Sequence, residues 1–206
     1  MSEKTRILLV RHGRTAWNRE ERFRGQSDVP LDEVGLEQAE TTGRRIAGEW
    51  KPSAVYSSPL VRALRTAEII AAKLGLKAQP HPGLNDIYYG QWQGLSVEEV
   101  KTGWPEEFGN WANAPHKVAI PDGESLEGLQ ARGVRTIREL VETHSGQTIV
   151  VVGHTVINRV ILLGLLGLGL EKFWRIRQDT CAVSVIDCRD GEFTVVSLND
   201  TCHLRP

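Results

Sequence analysis

Residues 5–15 read Thr5-Arg6-Ile7-Leu8-Leu9-Val10-Arg11-His12-Gly13-Arg14-Thr15, and residues 148–155 read Thr148-Ile149-Val150-Val151-Val152-Gly153-His154-Thr155. In each stretch a short aliphatic run without polar alternation leads into a histidine beside a glycine. Such runs fit strands buried on both faces, as in a parallel sheet. Thr5–Val10 and Thr148–Val152 are therefore expected to be inner strands, and Ala54–Ser57 a weaker third. Helical patterns follow. Leu36, Ala39, Gly43, Ile46, Ala47 and Trp50 share one face between Leu31 and Trp50. Leu60, Leu64, Ala67, Ala71 and Leu74 repeat the device after the third strand, with Ser58 as N-cap and Pro59 at the first helical position. A long helix is expected from Ser125 to His144. Ala182–Asp187 and Glu192–Leu198 are expected to be strands joined at Arg189-Asp190-Gly191. Strands alternating with helices predict one α/β domain over residues 1–206, built on a mostly parallel sheet.

The chain has 206 residues, a net charge of −1, 40% hydrophobic and 25% charged residues. That is the composition of a globular domain, and it argues against a nucleic-acid binder or a polybasic membrane surface. The apolar run Val160–Leu170 is too short for a bilayer, which takes about 20 residues. The opening MSEKTRILLV has no signal-peptide pattern. Cys181, Cys188 and Cys202 form no CxxC pair and fit reduced thiols in a cytoplasm. HExxH, EF-hand and cysteine–histidine patterns are absent, so neither metal nor cofactor is expected and side chains alone should do the chemistry. No nucleic-acid or membrane partner is expected; a homodimer is left open.

In an open parallel sheet, ligands bind beyond the carboxyl ends of the strands. His12 and His154 should both lie at that edge and face one crevice. Guanidinium groups suit a doubly charged phosphate because they donate paired hydrogen bonds to its oxygens. Arg11 adjoins the first histidine, and Arg62 lies near the start of the helix after the third strand; Arg65 is read as a solvated neighbour. Gly13 lets the backbone approach an anion, and Thr15 and Asn18 add neutral donors. Together they describe an electropositive pocket around a nucleophilic histidine, suited to phosphoryl transfer without metal. Tyr88, Tyr89, Trp92, Trp104, Phe108 and Trp111 crowd into a segment whose glycines, prolines and amides break any period. The segment 85–124 is read as an aromatic cap over the active site, with a satellite hydrophobic cluster as the alternative.

Arg11-His12-Gly13-Arg14-Thr15 with Asn18 resembles the RHGxT…N signature of the histidine phosphatase superfamily, in its phosphoglycerate mutase-like branch. Gly25-Gln26-Ser27-Asp28-Val29-Pro30-Leu31, Ser57-Ser58-Pro59-Leu60-Val61-Arg62-Ala63, the glycines and tryptophan at Gly90, Trp92 and Gly94, Asp122-Gly123-Glu124-Ser125, and Gly153-His154 follow in that family's order. The resemblance implies a three-layer α/β/α sandwich. It implies that His12 attacks phosphorus to form a phosphohistidine. Arg11, Arg62 and His154 would then hold the phosphoryl oxygens. Asn18, Thr15, Gly25, Gln26 and Thr155 would complete substrate binding. An acid should protonate the leaving oxygen and later activate water. Small phosphatases of the family usually carry glutamate before the Gly-x-Trp-x-Gly segment. Here Leu84-Asn85-Asp86-Ile87 places Asp86 there, with Glu124 as rival. The implied activity is a phosphatase acting on a small phosphorylated metabolite. A mutase is the alternative, although the arginine of the mutases' ERxYG segment is missing from Asn85–Gly90. A non-catalytic phospho-ligand module is the distant third.

Overall fold

The two aliphatic runs pair with each other at the centre of a six-stranded sheet. The computed structural model describes residues 3–205. In chain order its elements are β1 (Thr5–Arg11), α1 (Ala16–Arg19), α2 (Glu33–Glu49), β2 (Ala54–Ser57), α3 (Val61–Leu74), β3 (Ala78–Pro80), α4 (Val97–Gly103), α5 (Pro105–Asn113), α6 (Leu126–Thr143), β4 (Thr148–Gly153), α7 (Thr155–Leu165), β5 (Val183–Arg189) and β6 (Glu192–Asp200). The sheet order is β3-β2-β4-β1-β5-β6. The pairings β2–β3, β2–β4 and β1–β4 are parallel, while β5 runs antiparallel to both β1 and β6. After β1 the chain passes over β4 to β2 and β3, returns to β4, then crosses to β5 on the other side of β1. Strand order thus reverses between β1 and β4, which opens a crevice at their carboxyl ends.

Side chains alternate across a strand, so each inner strand feeds two cores. Ile7, Leu9, Ile149 and Val151 cluster with Leu129 and Ile137 of α6 and Ile157 and Ile161 of α7. Leu8, Val10, Val150 and Val152 cluster with Ile46 of α2 and Ala63, Ala67 and Ile70 of α3. Helices therefore cover both faces, and the architecture is a three-layer α/β/α sandwich. Burial on both faces is why these strands show no polar alternation.

Three local features depart from the sequence reading. Helix α3 begins at Val61 with Leu60 at the cap position, two residues later than Ser58 and Pro59 suggest. The Ser58 hydroxyl instead accepts from the Leu60 amide (3.2 Å) and donates to Asn85 Oδ1 (3.0 Å). It closes a turn and ties α3 to the loop that bears Asp86. The edge strand β3 is a three-residue piece containing Pro80, too short to carry a pattern. Segment 85–124 contains two helices, α4 and α5. Trp92 and Trp111 are buried there and pack edge-on against Phe23, which itself lies 5.0 Å from the Tyr89 ring. Among the described residues no helix is long and apolar enough to cross a membrane.

Candidate active site

Register decides which side chains meet. The β1–β4 ladder ends on the pair Arg11↔Gly153, and the His12 amide extends it to the Gly153 carbonyl at 3.0 Å. The next residues on each strand, His12 and His154, are thereby set side by side. Their ring centroids are 5.1 Å apart, tilted by 58°, and both are buried. His12 Nδ1 lies 2.7 Å from the Gly13 carbonyl oxygen. A carbonyl only accepts, so Nδ1 carries the proton and Nε2 keeps its lone pair. Burial pushes both imidazoles well below their ordinary range, and the charge of Arg62 deepens the shift in each. Both rings are neutral at pH 7, the state a nitrogen nucleophile needs.

The arginines are gripped by one part and left free at another. Arg62 is fully buried and donates to the carbonyls of Ser27 (2.8 Å) and Gly25 (2.7 Å). Arg11 donates to the Gln178 carbonyl at 2.6 Å. Asp86 is buried, with one oxygen 3.9 Å from an Arg62 nitrogen. Among the described residues, nine buried side-chain nitrogens and oxygens lack a hydrogen-bond partner, and five belong to these residues: Arg11 Nε, Arg62 Nε, Asp86 Oδ1 and both His154 nitrogens. Buried polar groups are normally satisfied. A concentration of orphans at one strand edge is the signature of a site built for a polar ligand. Burial pushes Arg11 down to about 9 and Arg62 to about 10, so both stay charged at neutral pH but poorly compensated. Burial also raises Asp86 above the usual carboxylate range, with Arg62 opposing it.

The model of the histidine phosphatase superfamily (branch 1) matches residues 7–201. The chain belongs to this superfamily. It is 38% identical over 199 residues to phosphoserine phosphatase 1 of Hydrogenobacter thermophilus, covering 97% of this chain and 94% of that one. It is 34% identical to the metal-independent phosphoserine phosphatase of Arabidopsis thaliana, covering 98% and 84% of the two chains. Among solved structures, Bacillus stearothermophilus YhfR superposes with a TM-score of 0.93 at 30% identity, covering 98% and 100%.

In this histidine phosphatase the remaining residues singled out from the sequence take different places. Thr15 is fully buried; its hydroxyl (3.0 Å) and amide (2.9 Å) both donate to Asn18 Oδ1, so it orients Asn18 rather than standing free. Gly13 makes its close approach to protein: a Cβ there would lie 2.5 Å from the Gly35 carbonyl oxygen. The Gln26 side chain donates to the Asp86 carbonyl at 3.1 Å. Gly25, Asp86 and Thr155 border a cavity of about 350 Å³, walled also by Tyr89 and Trp111 from segment 85–124. Arg65 is exposed and paired with Glu68. Glu124, the rival acid, is held by two bonds from Arg132, at 2.8 and 3.0 Å.

Several residues escape a sequence reading. Arg132 also donates to the carbonyls of Asn85 (2.7 Å) and Asp86 (3.0 Å), clamping the backbone at Asp86. Thr66 accepts from the Gly13 amide (3.1 Å) and donates to the Arg62 carbonyl (2.8 Å), joining the loop after β1 to the start of α3. Arg24 and Arg159 line the cavity. The signal available for Arg159 was its spacing: it lies four residues after Thr155, on the same face of α7. Arg24 sits in a loop, where no period marks it.

Proposed function

We propose that this chain is a metal-independent phosphatase of small phosphate monoesters that works through a phosphohistidine on His12. The observation that carries the reading is the cluster of unpartnered polar atoms around two neutral histidines. Tetrahedral phosphate offers acceptor oxygens for Arg11 Nε, Arg62 Nε and His154, and a phosphorus for His12 Nε2. In the first step Nε2 forms a bond to phosphorus as the ester P–O bond breaks. Asp86, raised by burial and therefore able to hold a proton, gives it to the leaving oxygen. In the second step the Asp86 carboxylate takes a proton from water, whose oxygen attacks phosphorus; the N–P bond breaks and inorganic phosphate leaves. Guanidinium and imidazole donors stabilise the equatorial oxygens in both steps. Asn18, oriented by Thr15, and Thr155 add donors, while Gly25 and Gln26 position Arg62 and Asp86. Segment 85–124 caps the cavity through Tyr89 and Trp111. The names of the Hydrogenobacter and Arabidopsis relatives support hydrolysis, and the latter supports metal independence. A cytoplasmic setting is supported by the three unpaired cysteines.

The test is a panel of phosphorylated metabolites assayed for released phosphate with and without EDTA. Turnover unaffected by chelation is expected. Activity lost to EDTA and restored by magnesium would overturn metal independence. Phosphate moved between hydroxyls without release would replace hydrolysis by mutase chemistry.

A further inference from the structure

The cavity beside the phosphate pocket is lined by three arginines that the reaction above does not use, and two of them lack a carboxylate partner among the described residues. Arg22, Arg24 and Arg159 all line it. Arg22 is spent on Glu20 (2.8 Å) and the Gly94 carbonyl (3.1 Å). Arg24 is half-buried, yet its guanidinium takes part in none of the hydrogen bonds or ion pairs among the described residues. Arg159 uses only Nε, donating to the Ile176 carbonyl at 2.7 Å. Its guanidinium stacks against Phe173 and Trp174, 5.0 and 4.9 Å from their centroids. Stacking fixes the plane of the fork and leaves its terminal N–H groups unengaged. The acid on the same wall, Asp86, forms its ion pair with Arg62 instead. Burial lowers both Arg24 and Arg159 from the ordinary arginine range, the expected response of cations short of a counter-charge.

We propose that Arg24 and Arg159 form a second anion subsite, and that the substrate carries a carboxylate a few bonds from its phosphate. This rests on the phosphatase reading for the position of the phosphate. Arg24 immediately precedes Gly25, whose carbonyl holds Arg62, so the subsite adjoins the phosphate pocket. Its charge is felt at His12, Arg62 and Asp86. A planar carboxylate matches the fork of a guanidinium and would neutralise the pair. The volume of about 350 Å³ suits a small phosphorylated acid.

The test measures equilibrium binding by calorimetry of 3-phosphonopropionate and propylphosphonate to the full chain. The two ligands match in length and differ by the carboxylate, and neither has an ester bond to hydrolyse. The carboxylated ligand is expected to bind about 10–100-fold more tightly, the range of charge-assisted hydrogen bonding. Arg24→Gln should shrink that ratio to about threefold or less, with a much smaller loss for propylphosphonate than for the carboxylated ligand. Arg159→Gln should do the same, while Arg159→Lys should keep part of the preference. A ratio near one in the wild type would overturn the proposal. So would an equal loss for both ligands in Arg24→Gln, which would place Arg24 on the phosphate. If the ratio holds but no phosphate is released from 3-phosphoglycerate or nitrophenyl phosphate, the subsite stands and the hydrolytic reading fails.

Discussion

Strand β1 carries an arginine at each end, and the two have opposite surroundings. At the amino end Arg6 donates to both oxygens of Asp187, at 2.7 and 2.9 Å, and Lys4 joins them at 3.1 Å. The hydrogen bond to Asp187 raises Arg6 above the ordinary arginine range. At the carboxyl end Arg11 contacts a carbonyl, keeps Nε unpartnered and is pushed down to about 9 by burial. The same contrast holds away from this strand. Arg45, bound to Asp200 and Glu49, is raised; Arg62 is lowered. Arginines away from the two histidines are compensated by carboxylates, and those beside the histidines are held as poorly compensated positive charge in a buried place. That arrangement costs stability unless an anion completes it, so it points to the end that binds.

The sharpest way to break the contrast is to remove charge at the carboxyl end. Arg62→Met keeps much of the length and apolar bulk while losing the donors. It should lower kcat/KM by about 10³–10⁵-fold, the usual worth of an arginine on a transferring phosphoryl group. A loss below tenfold would mean that Arg62 merely holds the Gly25 and Ser27 carbonyls. Next in size is Asp86→Asn. An alkoxide leaving group needs a proton in the transition state, and a nitrophenolate needs little help. Alkyl phosphates should therefore slow by about 10²–10⁴-fold in kcat/KM, and nitrophenyl phosphate far less. Equal losses would make Asp86 structural.

A third prediction concerns stability and pH. The folded-state pKa values of His12 and His154 are depressed, so below about 6.5 the unfolded chain binds protons that the folded one refuses. Stability should fall by about 1–3 kcal/mol as pH drops from 7 to 5.5. Asp86, raised by burial, acts in the opposite sense nearer the carboxylate range, where the folded state holds the extra proton. Vanadate should flatten the dependence, because a bound anion offsets the repulsion that Arg11, Arg24 and Arg62 exert on the imidazoles. Chemical denaturation at several pH values, with and without vanadate, reads it; a flat profile without vanadate would count against buried neutral histidines. The smallest effect belongs to the amino end. Arg6→Met should leave kcat/KM within about twofold and lower Tm by about 2–4 °C, as for a partly exposed ion pair.

How far the sequence revealed this molecule depended on where information is local. The inner strands announced themselves because burial on both faces leaves no room for polar alternation in Ile7–Val10 or Ile149–Val152. The β5–β6 hairpin was legible because Asp190 and Gly191 adopt positive φ (54° and 81°), the conformation a two-residue turn requires. Its antiparallel placement beside β1 was not legible, since pairing partners are chosen across the whole chain. Helix α4 had a signal in Ser96 and Glu99, which form a capping box, but its aromatic and amide-rich neighbours obscured the period. At the site, His12, Arg11 and His154 could be placed because strand ends converge, and Arg62 because α3 starts at the same edge. Arg24, Arg132 and Arg159 could not. A loop residue and two helical arginines look like solvated charges until the tertiary fold brings them to a cavity or a clamp.

If the poorly compensated charge at the carboxyl end of β1 holds a phosphoryl group on His12, that group can be trapped. Wild-type protein mixed briefly with radiolabelled substrate and quenched in alkali should retain protein-bound phosphate. The label should survive base, be lost in acid, and map to the peptide containing His12; His12→Ala should retain none. Label persisting in His12→Ala, or phosphate that resists acid as a serine or threonine ester does, would contradict the account.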